Sequence, residues 1–205
     1  MTAADFPHLL APLDHGRLHL KNRVVFPGHQ TLLSEGGVIG ERMLGYYVER
    51  AKGGVGAVIV EGAAVHRTTV KFTDYLLAYD PRIIPTLDRL ADRLHEHDCR
   101  AILQLAHSGS RMSTFDSRRE LWAPSAVQAA ISPEMPHAMT LAEIDELLGQ
   151  LDHSAPYPGA DAEGQRGRSG HPKRTALPDK WLESREVASS ATEMMRGAEI
   201  ENSGG

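Results

Sequence analysis

Up to about Gln150 the chain alternates short β-branched runs with amphipathic helical segments, and after that point the alternation stops. That alternation limits the fold to an architecture of parallel strands joined by helical crossovers. Leu18 to Lys21, followed by Asn22 to Pro27, reads as a short hairpin arm entering a first buried strand around Val24, Val25 and Phe26. From Glu41 to Lys52 the apolar residues Met43, Leu44, Tyr47 and Val48 recur at helical spacing, and Gly53-Gly54 supplies the stop. Ala57 to Val60 is a continuous apolar run ending in Glu61-Gly62, the pattern of a strand covered on both faces. A second helix begins near Pro81, carries Ile84, Leu87, Leu90, Ala91 and Leu94 on one face, and ends near His97 to Cys99. Ala101 to Leu105 is the third strand. After a long loop, Thr140-x-x-Glu143 opens another helix as a capping box, with Ile144, Leu147 and Leu148 inward.

The order β-α-β-α-β-loop-α suits either a doubly wound sheet or a barrel. Polar residues at the carboxyl ends of all three strands favour the barrel, which builds its site there. These are Pro27-Gly28-His29-Gln30-Thr31, Glu61-Gly62-Ala63-Ala64 and Gln104-Leu105-Ala106-His107. A small doubly wound nucleotide-binding module is disfavoured, because no Gly-x-Gly-x-x-Gly follows the first strand.

The chain of 205 residues, 41% hydrophobic, has enough apolar content for a real core but is short of the roughly 250 residues typical of a complete (β/α)8 barrel. A net charge of −5 gives no electrostatic reason to expect nucleic acid or an anionic membrane as partner. The N-terminus lacks a basic segment followed by an apolar stretch, and Gly56 to Val65 is too short to span a bilayer, so the expectation is a soluble, cytoplasmic protein. Cys99 is the single cysteine. It leaves no intramolecular disulfide and no four-cysteine iron–sulfur or zinc site. His95 and His97 are two apart and diverge on a helix, reading as a solvated helix end rather than a metal pair, and no metal is expected. Arg118-Arg119-Glu120 reads as a solvent-facing loop.

Several motifs occur in one order. They are Leu9-x-x-Pro12-Leu13 through Leu20-Lys21-Asn22-Arg23-Val24-Val25; Tyr46-Tyr47 with Arg50-Ala51-Lys52-Gly53-Gly54-Val55-Gly56; Glu61-Gly62; Gln104-Leu105-x-His107-x-Gly109; and Ala123-Pro124-Ser125-Ala126. Together they resemble the old yellow enzyme family, the NADH:flavin oxidoreductases. Pro136-His137-Ala138-Met139-Thr140 looks closest to the trimethylamine dehydrogenase and 2,4-dienoyl-CoA reductase branch. The resemblance implies a TIM (β/α)8-barrel type, present here as about the first three β/α units. It implies FMN as cofactor, NADH or NADPH as reductant, a small-molecule substrate and hydride transfer through the flavin, in which the cofactor carries the difficult step.

A side-chain amide carries both an acceptor and a donor, so Gln104 suits the flavin edge; the alternative is a strand-end glutamine capping local backbone. Gly62 and Ala63 lack bulk and would let backbone approach an aromatic ring, though a glycine after a strand also serves simply as a turn. Pro27, Gly28, His29, Gln30 and Thr31 would run along the flavin, or else form an ordinary strand exit. His107 is the candidate residue beside substrate or flavin. The histidine-glycine-arginine cluster of the family reads here His107-Ser108-Gly109-Ser110-Arg111, one residue longer before the arginine than the commoner family spacing. No residue is assigned as the proton donor.

The resemblance covers residues 1–150, read as the N-terminal portion of an FMN-binding barrel. Residues 151–205 read as an atypical tail. It holds only Leu151, Leu177, Leu182, Val187 and Ile200 as branched aliphatics, too few to offset the entropy of ordering, so mostly disorder is expected, with a short helix between Trp181 and Arg196. The family's fourth strand, its arginine-bearing strand and its phosphate-binding glycine loops have no counterpart. A reading-frame shift or truncation would account for the change, and translating the other two frames beyond codon 150 tests it. Two function classes follow: an FMN-dependent oxidoreductase in truncated form, or a non-catalytic half-barrel remnant whose open edge and inner face favour self-association.

Overall fold

The computed structural model describes residues 6–15, 18–69 and 74–154. The expected tail and its short helix lie outside these residues.

A helical turn α1 (Pro7–Leu10) leads into an antiparallel hairpin of β1 (Leu13–His15) and β2 (Leu18–Leu20). The hairpin arm expected at Leu18–Lys21 is thus the second strand of a pair. Then come β3 (Val25–Phe26), α2 (Glu41–Lys52), β4 (Ala57–Ala64), β5 (Leu76–Leu77), α3 (Ile84–His95) and β6 (Arg100–Ala106). A helical turn α4 (Thr114–Ser117), two short parallel strands β7 (Trp122–Ala123) and β8 (His137–Ala138), and α5 (Leu141–Ser154) complete the described chain.

β3, β4 and β6 are parallel neighbours, with Val25 opposite Ala57 and Ala57 opposite Arg100. This sequential order is that of the first three strands of a barrel. Side chains alternate across the central strands. Val58, Val60, Ala101 and Leu103 are buried and join Met43, Tyr47, Val48, Leu87, Leu90 and Leu94 of α2 and α3 in one core. On the opposite face Ile59 and Ile102 are half-buried, and Val25 and Gln104 are exposed. That inner face is where the expected first buried strand differs. β3 spans two residues, Val24 lies outside it, and Val25 is 39% exposed because no described side chains fill the barrel interior.

The helices end where local chemistry stops them. Gly54 takes φ +94° just past α2, in the left-handed region that glycine favours. Pro81–Ile83 form a 3-10 turn, capped by the Asp80 carboxylate accepting from Arg82 N–H, before α3 begins. α3 ends at His95, so His97 lies beyond the helix. α5 runs on through Gln150 to Ser154, with Leu147 buried and Leu151 packed beside it against Val65 and Met139. The helix therefore continues across the boundary expected at residue 150.

At the amino ends of the strands the hairpin is tied down by side chains that reach far along the chain. Asn22 Nδ2 donates to Gly54 O at 2.7 Å, Lys21 Nζ to His97 O at 2.5 Å, and Arg100 Nε to His19 O at 3.0 Å. Gly56 must lack a side chain, since a Cβ there would lie 2.5 Å from Asn22 O. Cys99 is buried, and burial pushes its thiol up to about 11, so it is an inert core residue at neutral pH.

Candidate functional site

At the carboxyl ends of β3, β4 and β6 the loops expected to form a site come together around Glu61, whose side chain is wholly buried. A buried carboxylate must be met by donors. Thr31 N–H donates to Oε2 at 2.7 Å, Thr31 Oγ1 bonds the same oxygen, and Gln30 Nε2 donates to Oε1 at 3.0 Å. Tyr47, buried on α2, donates its hydroxyl to Oε2 at 3.3 Å and accepts the Glu61 N–H at 2.9 Å. Burial first, then the Glu61 carboxylate, holds the Tyr47 hydroxyl protonated above the ordinary phenol range. Glu61 thereby fixes the path of the segment leaving β3. Within that segment Pro27, Gly28, His29 and Gln30 are exposed, while Thr31 is half-buried with its N–H and hydroxyl spent on Glu61. The His29 ring stacks on Tyr46 of α2, centroids 6.4 Å apart.

Gln104 projects from the inner face near the end of β6, exposed, and its amide makes no hydrogen bond among the described residues. Its Oε1 would lie 2.5 Å from a Cβ at position 28, so Gly28 is what lets the amide lie across the β3 loop. A Cβ on Gly62 would meet Tyr75 Oη at 3.0 Å and Ala106 Cβ at 3.3 Å. Ala63 turns its side chain into the helix-side core, so only its backbone can face a ligand. Burial raises the Tyr75 hydroxyl as well.

His107 is held from both sides. Its Nδ1 accepts from Gly109 N–H at 3.3 Å, so Nε2 carries the proton and donates to Thr68 Oγ1 at 2.9 Å. Thr68 Oγ1 in turn donates to His66 Nδ1 at 2.8 Å, and His66 Nε2 faces Glu146 Oε1 at 3.3 Å. The result is a directed chain of hydrogen bonds from the end of β6 across to α5. Burial, with His66 nearby, pushes His107 down to about 4, so the ring is neutral at pH 7. Arg111 is exposed at the end of a 3-10 turn. Among the described residues no group of three or more His, Cys, Asp or Glu could hold a metal ion.

The residues given no site role from sequence are Tyr47, read there as a helix core residue and part of a motif, and Thr68, His66 and Tyr75. Tyr47 and Thr68 find partners 14 and 39 residues away, and His66 reaches one 80 away, so spacing carried no signal for them.

Residues 8–156 match the model of the NADH:flavin oxidoreductase / NADH oxidase family. The chain belongs to that family. Among its relatives, the NADH oxidase of Thermoanaerobacter brockii is 31% identical over 154 residues, covering 73% of this chain and 24% of the relative. The multifunctional alkene reductase/demethylase OYE of Caballeronia cordobensis is 30% identical over 153 residues, covering 72% and 22%. The old yellow enzyme homologue of Zymomonas mobilis superposes with a TM-score of 0.66 at 23% identity, covering 73% of this chain and 44% of that one. The last of these likenesses shows the fold, an incomplete barrel of the old yellow enzyme type. The chain spans about a quarter of the length of these two curated relatives. One side-chain amide, that of Gln104, without a hydrogen bond among the described residues, faces the barrel interior beside Gly28, whose missing Cβ makes room for it. It offers both a donor and an acceptor, the pairing that the edge of a flavin ring calls for.

Proposed function

We propose that this chain supplies the flavin-facing first three β/α units of an FMN-dependent NAD(P)H oxidoreductase. The observation that carries the reading is the Gln104 amide, without a hydrogen bond among the described residues and laid over Gly28 on the inner face where three parallel strands end. Gln104 would pair with the donor and acceptor edge of the ring. Backbone of Pro27, Gly28, His29, Gln30, Gly62 and Ala63 would line the ring, with Thr31 held in place by Glu61. His107, neutral and donating from Nε2, would orient Thr68 rather than exchange protons with a substrate at pH 7. Bound there, FMN supplies hydride acceptance and donation, and the acceptor is a small molecule. The chain is divided functionally at about residue 150, the N-terminal portion carrying the flavin wall.

FMN titration of the purified chain, followed by flavin fluorescence and retention on desalting, tests this. Saturable stoichiometric binding, weakened about tenfold or more by Gln104→Ala, is the expected result. No binding at high micromolar FMN overturns it. That result would leave a non-catalytic half barrel that self-associates, a reading favoured by the unfilled inner face of Val25, Ile59 and Ile102.

A further inference from the structure

Beside the loop after β4 lies a cavity of about 640 Å³ that none of the flavin-facing residues lines. Its walls include Arg67, Arg118, Arg119, Tyr79, His66 and Trp122. The charges on this pocket are unequal in a way that matters. Two carboxylates also line it, Glu120 and Glu146, each facing a histidine: Glu146 with His66 at 3.3 Å, and Glu120 with His137 at 3.9 Å. The three arginines make no ion pair among the described residues.

The loop carrying two of them is built to a definite shape. Ser113 caps α4, Arg118 sits in the left-handed region at φ 52° with its N–H bonded to Thr114 O at 2.7 Å, and Ser117 Oγ accepts from Arg119 N–H at 3.1 Å. Two of the guanidinium fields meet at one hydroxyl: Tyr79 is raised by burial, and Arg67 pulls it back down against Asp80, with Arg119 adding to the lowering. The remaining wall is aromatic, with the His66 ring stacked on Trp122 at 4.8 Å between centroids.

We propose that this pocket binds a pyrophosphate group, with Arg67, Arg118 and Arg119 as its ligands. Guanidinium groups bind phosphate oxygens in paired, charge-assisted hydrogen bonds, and a doubly phosphorylated anion answers three positive charges that make no ion pair among the described residues better than a single carboxylate does. The cavity exceeds what pyrophosphate alone fills, and the Trp122 and Tyr79 rings offer a surface for a base. Free pyrophosphate and a nucleoside diphosphate share the recognised chemistry. This site is independent of the flavin reading, and its test needs no FMN.

The chain has two tryptophans, so Trp181→Phe leaves Trp122 as the only indole. In that background, pyrophosphate is titrated at constant ionic strength while Trp122 fluorescence is followed. The expected result is a saturable change, with affinity reduced at least about tenfold in Arg67→Gln/Arg119→Gln. No saturable change, an equal change with sodium chloride, or an unaltered affinity in the double variant overturns the site. Calorimetric titration of the unsubstituted chain guards against a misfolded variant: pyrophosphate must bind more tightly than inorganic phosphate, and equal affinity counts against the proposal. Tighter binding of ADP than of pyrophosphate would identify a nucleotide as the source, and equal binding would identify the free anion.

Discussion

Glu61 carries a carboxylate to a position with no exposed surface, and its cost is offset by donors from two separate segments, the exit of β3 and α2. Tyr47→Phe removes one donor to that carboxylate and the acceptor for its backbone N–H, leaving the N–H buried and unmet and the carboxylate one donor short. The expected loss is about 1–3 kcal/mol by urea denaturation; a loss near zero would mean water replaces the phenol. His107 makes a second prediction. Its folded value lies below that of an ordinary histidine, so the fold favours the neutral ring, and stability present above about pH 6.5 is lost as pH falls toward about 4. Protonation would also aim a new Nδ1 proton at Gly109 N–H. Between pH 7 and pH 5 the urea midpoint should fall more in the parent chain than in His107→Gln, and parallel declines would count against the assignment. Residues of this kind were half legible in the sequence. Gln104 stood out because it ends a strand, whereas the anchoring role of Glu61 depends on Gln30, Thr31 and Tyr47, which only folding brings near. The arginines at 118 and 119, read as an ordinary solvent loop, are indeed exposed, but they line a cavity with Arg67 from a loop some fifty residues earlier in the chain.

Among the elements, those with long periodic patterns matched their reading. α2 and α3 bury the faces their spacing predicts, and β4 and β6 fall on the runs expected for them. β5, β7 and β8 went unread because each is two residues long, and pairing across 13 to 15 positions rather than local preference defines them. The capping box at Thr140 is present: Glu143 N–H donates to Thr140 Oγ1 at 3.3 Å, and Glu143 Oε2 accepts from Thr140 N–H at 2.7 Å. The Thr140 backbone contact, followed by His137, holds the Glu143 carboxyl down to about 2. Thr140→Ala should cost about 1 kcal/mol and speed hydrogen exchange in the first turn of α5, while leaving α3 unchanged. Uniformly faster exchange in both helices would point to global loosening instead.

For the molecule as a whole, the two faces of its sheet are unequal. Leu103 packs against the helices at 4% exposure, whereas its neighbour Ile102 looks into the unfilled barrel interior. Leu103→Ala should cost about 2–5 kcal/mol in urea unfolding and Ile102→Ala less than half of that. Equal costs would mean that something covers the inner face in solution. The hairpin at the opposite end of the sheet has a kinetic meaning. Its ties join Lys21 to His97 and His19 to Arg100, partners 76 and 81 residues apart in sequence. They cannot form until α3 and β6 have already docked, so loop closure across that span comes late. Cutting the latch with Lys21→Met should hasten unfolding and leave the refolding rate nearly unchanged, the mark of a contact absent from the transition state.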